Sequence, residues 1–269
     1  MSGIERIAEG FASARASGRR AAFMPYLMAG YPDLERSRQI ANAYADGGAD
    51  LIELGVPFSD PLADGPVIHA AAVAALRAGV RVVDAVEAAR EAAQRIPVVV
   101  MCYANPIMAR GLERFVGMLE SAGVSGLIVP DLPFEEAPSF VEACEDRGLA
   151  LVPLIAPTTS PERLERIGAR ARGFLYTVSV TGTTGERTGA DRSLPDVVAR
   201  ARACTSVPVA VGFGISTPEQ AAAAADAGAD GVIVGSRLVR AAGEGADPVS
   251  AVGELVVGFS TALRDSALG

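Results

Sequence analysis

The feature that most constrains this chain is a pattern that recurs three times. AYADGGADLIEL (residues 43–54), LESAGVSGLIVP (119–130) and AADAGADGVIVG (224–235) each pass from a helix end through a glycine into a short apolar strand. Glycine just beyond a helix supplies the left-handed cap, and a strand within a few residues marks a repeated β-α unit. Comparable apolar runs bring the number of strands to eight, near residues 23–28, 51–56, 98–103, 126–130, 150–155, 174–178, 209–212 and 231–234. Helices are expected between them, for example over 34–46, 83–95, 112–122, 218–227 and 249–263. Eight such units with no charged or Pro/Ser-rich linker predict an α/β fold, a closed (β/α)8 TIM barrel, as a single domain over residues 1–269. A doubly wound open sheet normally carries a GxGxxG turn after its first strand, and Ala29-Gly30-Tyr31-Pro32-Asp33 is not one. Upstream of Phe23, the alternation of Ile4, Ile7 and Phe11 with Glu5, Arg6 and Glu9 predicts an extra N-terminal helix covering the bottom of the barrel.

Composition removes whole classes of function. The formal charge of −8, with no basic cluster, argues against a nucleic-acid surface. There is no lysine, so neither a Schiff-base aldolase nor a lysine-anchored pyridoxal phosphate enzyme is encoded here. Cys102, Cys144 and Cys204 are scattered, His69 is the single histidine, and no CxxC, HxH or HExxH spacing occurs. No metal site is expected, and the cysteines read as reduced core residues. With no signal-peptide pattern and no apolar run of the roughly 18 residues that span a membrane, the expectation is a cytoplasmic protein without membrane contact.

Barrels of this class carry their chemistry at the C-terminal ends of the strands. The second strand breaks its own apolar pattern with Glu53, and a carboxylate in a packed strand is costly unless it is paired or neutralised. The loop that follows holds Asp60 and Asp64 among Pro57, Pro61 and Pro66. Later strands end in glycines: Gly185 in the sixth loop, Gly214 in the seventh, Gly235-Ser236 in the eighth. Backbone N–H groups reach a phosphate only where side chains leave room, so these three loops read as a phosphate cradle. Phe23, Met101 and Phe213 are candidates for an apolar slot, and Tyr176 for orienting Glu53 or substrate, although such residues are more often plain core.

The run LIELGVPFSDPLADGP (51–66), with the order of the other motifs along essentially the whole chain, resembles the α subunit family of tryptophan synthase. That resemblance implies cleavage of indole-3-glycerol phosphate to indole and glyceraldehyde 3-phosphate. In it, Glu53 moves protons, ionised Asp64 accepts the indole N–H, and Gly185, Gly214, Gly235 and Ser236 bind phosphate. It further implies closure of the sixth loop through Thr184 against Asp131. It pairs this subunit with a pyridoxal-phosphate β subunit in an αββα heterotetramer, docked through the loops around Asp60, Pro61, Asn105, Pro106 and Pro133. No cofactor is expected on this chain. Two rivals remain at this stage: another phosphate-binding barrel isomerase or epimerase, and a noncatalytic regulatory barrel.

Overall fold

A computed structural model describes residues 1–178, 194–212 and 214–264. Its parallel strands are β1 (Ala22–Met28), β2 (Ile52–Gly55), β3 (Val98–Met101), β4 (Gly126–Ile128), β5 (Ala150–Leu151), β6 (Leu154–Ile155), β7 (Leu175–Val178), β8 (Val209–Gly212) and β9 (Gly231–Val234). They pair in the order β5-β4-β3-β2-β1-β9-β8-β7-β6. The fifth expected strand is thus present as two halves, β5 on β4 and β6 on β7. Pro153 lies at the break and has no N–H to give the ladder. Backbone bonds still cross it: Val152 N donates to Leu127 O at 2.9 Å, and Tyr176 N donates to Pro153 O at 3.1 Å. The two halves therefore close an eight-stranded barrel, as the repeat pattern predicts.

The three recurring glycines behave as the pattern requires. Gly48, Gly123 and Gly228 follow helices with φ of +91°, +71° and +94°, a conformation that costs other residues strain. Helix ends follow local chemistry too. Thr217 caps the helix Pro218–Asp226 with Gln220 completing a capping box, and Ser2 with Glu5 does the same for the helix Gly3–Ala16. Observed boundaries such as Val82–Ala93 and Leu112–Ser121 lie within two residues of expectation.

The core has two layers. Alternate strand residues (Ala22, Met24, Leu51, Val99, Ile128, Val152, Phe174, Tyr176, Ala210 and Ile233) fill the barrel interior. The intervening ones pack against the helices outside. The N-terminal helix closes the bottom, inserting Ile7 and Phe11 into the interior layer, with Phe11 5.9 Å from Phe174 ring to ring. It sits so close that a Cβ on Gly3 would lie 2.4 Å from the Ser125 carbonyl oxygen. With the bottom sealed, the interior opens toward the strand C-termini.

Candidate active site

Glu53 faces the barrel interior because it shares the parity of Leu51, and its Cα partners are Tyr26 and Val99. It is only 1% exposed, and its Oε2 has no hydrogen-bond partner. Burial pushes its carboxyl up to about 8, with the nearby Asp64 charge adding to the rise and a hydrogen bond from Tyr176 opposing it. Tyr176 reaches this position over a glycine: a Cβ on Gly212 would lie 2.6 Å from the Tyr176 hydroxyl. Asp64 is raised to about 6 by burial, while a Tyr103 hydrogen bond and the nearby His69 hold it down. It is drier than its loop position suggested, yet still ionises first. The two carboxyls therefore occupy different protonation states near neutral pH, the usual way in which a pair divides acid–base work.

Both acids line a cavity of about 1060 Å³. Met101, Tyr176, Gly214, Gly235 and Ser236 line it as expected, joined by Ile68, Leu132 and Ile215. The same void continues between the helices Pro138–Glu145 and Pro161–Arg170, past Val141 and Ile167. Past β1 from the acid-bearing β2, the loops after β8 and β9 supply glycines: Gly214 takes φ of +52°, and Gly235 immediately precedes the helix Ser236–Gly243. A helix start with glycine before it offers unobstructed N–H groups and a positive dipole end, which suits a phosphate.

Several expected residues lie elsewhere. Phe23 does not line the cavity. It has the outward parity of β1 and stacks on Phe259 with centroids 5.8 Å apart, within the outer core layer. The inward aromatic of that strand is Tyr26, which lines the cavity and is missing from the sequence-based set. It nests over a second glycine, since a Cβ on Gly55 would come 1.9 Å from the Tyr26 hydroxyl. Asp131 is exposed and spends its Oδ1 on the Ala104 amide at 2.9 Å, bracing the start of the helix Ala104–Met108. Thr184, Gly185 and Phe213 lie outside the described residues. On the same face, Asp60, Asn105 and Pro133 are exposed and Pro106 is half-buried. Pro61 is buried, so it stiffens its loop from beneath instead of presenting a surface. Between these residues stand two large apolar side chains in the open, Leu62 at 80% and Met108 at 58% exposure.

Known proteins share much of this sequence and its fold. Residues 11–262 match the family model described as tryptophan synthase alpha chain. The tryptophan synthase alpha chains of Synechococcus elongatus and Gloeobacter violaceus are each 51% identical to this chain, over 235 residues (87% of this chain, 88% of the relative) and 238 residues (87% and 86%) respectively. A solved Mycobacterium tuberculosis tryptophan synthase superposes with a TM-score of 0.91 at 41% identity, covering 97% of this chain and 99% of that one. A Legionella pneumophila tryptophan synthase alpha chain gives 0.86 at 35% identity, covering 98% and 97%. A buried glutamate and a loop aspartate at the mouth of a bottom-sealed barrel thus sit in a sequence of known kind: the chain belongs to the tryptophan synthase alpha chain family.

Proposed function

We propose that this chain is a carbon–carbon lyase that splits indole-3-glycerol phosphate into indole and glyceraldehyde 3-phosphate. The observation that carries the reading is a buried Glu53, its carboxyl pushed up to about 8, beside an ionisable Asp64 in one cavity with the glycines that follow β8 and β9. Glu53 gives its proton to C3 of the indole ring, and the positive charge spreads to the ring nitrogen. Asp64 accepts the N–H and stabilises that charge. The bond from C3 to the glycerol chain then breaks, its electron pair restoring the aromatic ring. The adjacent hydroxyl becomes the aldehyde and returns a proton to Glu53. Atoms and protons balance with one group acting first as acid and then as base. Both groups hold the required state between about pH 6 and 8.

The indole product is neutral and apolar and would be lost to water. A second enzyme docked on the open face would keep it, and exposed Leu62 and Met108 among the loops of Asp60, Asn105, Pro106 and Pro133 suit such docking. In this reading the partner is a β subunit carrying pyridoxal phosphate in an αββα assembly in the cytoplasm, since this chain has no lysine to anchor that cofactor. The test is incubation of the purified chain with indole-3-glycerol phosphate. Equal amounts of indole and glyceraldehyde 3-phosphate are expected, with faster release when β subunit is added. No indole under either condition overturns the reading.

A further inference from the structure

Tyr103 joins three parts of the site. It stands just past β3, nearly buried, and its ring stacks on Phe58 with centroids 5.2 Å apart and planes 29° from parallel. Phe58 opens the loop that carries Asp64. Farther along that loop, the Ala63 N–H donates to the Tyr103 hydroxyl at 3.0 Å. The hydroxyl also lies near the Asp64 carboxyl and favours its ionised form. One tyrosine thus grips the loop at both ends, its ring stacked on Phe58 and its hydroxyl accepting from the residue before Asp64. Within the loop, Leu62 N donates to Asp60 O and Asp64 N donates to Pro61 O.

We propose that Tyr103 is the positioning residue for Asp64: it fixes the second loop against β3 and aims the ionised carboxylate at the substrate's ring nitrogen. The proposal rests on the lyase reading and names a further residue that serves it. A tyrosine that only filled space would be replaced by phenylalanine without consequence, because the ring and its stack on Phe58 survive. A positioning tyrosine would not, because the hydroxyl that holds Ala63 and faces Asp64 is lost while the packing stays.

Tyr103→Phe therefore supplies the test, read in two ways. The first is the pH profile of indole release. Asp64 loses a donor that favours its ionised form, so the acid limb moves to higher pH, and kcat at pH 7 falls about 10- to 100-fold, the scale of a misplaced reacting group. Inhibition by glycerol 3-phosphate, which reports the glycine loops after β8 and β9, stays unchanged. The second is hydrogen exchange of the Ala63 amide, which speeds up in the variant once its acceptor is gone. An unmoved acid limb with wild-type kcat overturns the proposal, as does unchanged exchange at Ala63. If wild-type protein releases no indole, the lyase reading fails, and the exchange measurement still decides whether Tyr103 holds the loop.

Discussion

The two ends of the barrel treat charge in opposite ways. At the bottom, the recurring glycine segments carry acids that are fully used. Asp50 accepts from the Phe23 amide at 2.8 Å and pairs with Arg19 at 2.5 Å, and Arg19 also donates to the carbonyl of Gly48. Asp230 repeats the device: it accepts from the Val209 amide at 2.9 Å and pairs with Arg15 and Arg202, the latter also donating to the carbonyl of Gly228. The third copy keeps the arginine, with Arg6 donating to the Gly123 carbonyl at 2.6 Å, but has Ser125 where the others have aspartate. At the top, Glu53 is more deeply buried than either aspartate, and its Oε2 finds no hydrogen-bond partner among the described residues. Satisfied acids hold a fold, whereas an unsatisfied one stores a proton that can be moved.

Glu53→Gln should have the largest effect. Turnover is expected to fall roughly 10²–10⁴-fold, the range for losing a general acid–base group, while glycerol 3-phosphate still binds. Stability should move the other way. The folded-state value is raised to about 8 from an ordinary 4.5, so unfolding releases a proton across that window, and the wild type loses stability as pH climbs through it. The variant should therefore melt higher than the wild type at pH 8, with the advantage shrinking toward pH 4.5. A variant that retains more than a tenth of wild-type turnover breaks the contrast between the two ends.

Asp50→Asn is the matching change at the bottom. Asparagine can still accept from Phe23, but the largely buried Arg19 loses its counter-charge. We expect a loss of about 2–4 kcal/mol in denaturant unfolding, with kcat per folded molecule unchanged. A fall in kcat with no loss of stability would mean that the bottom collar serves the chemistry after all. The smallest effect is expected at the third copy. The Ser125 Oγ is buried without a partner, so Ser125→Ala should change stability by less than about 1 kcal/mol in either direction. A larger loss in the same unfolding experiment would show that the serine stands in for the missing aspartate.

The asymmetry was partly legible in the sequence. Glu53 stood out because it interrupts an apolar strand, and the glycine punctuation gave strand number and helix caps. The facing of β1 was not legible. A parallel strand apolar on both faces has no alternation to reveal which side chains point inward, so Phe23 and Tyr26 read alike. Only register against β2, where Tyr26 partners Glu53, separates them. Tyr103 was hidden for a different reason. Its partners, Phe58, Ala63 and Asp64, lie about forty residues upstream, and no local pattern encodes a bond over that separation. Pro61 matched its loop but not its exposure, because proline content reports stiffness and says nothing about which side of a loop meets solvent.

The central claim is that the fold itself holds a proton on Glu53 at neutral pH. Carbon-13 NMR titration of the glutamate side-chain carboxyls, with the Glu53 signal assigned from its absence in Glu53→Gln, measures this without any substrate. The account predicts a midpoint near 8, moving lower in Asp64→Asn, where the neighbouring negative charge is removed. A Glu53 midpoint near the ordinary 4.5, unmoved by that substitution, would contradict it.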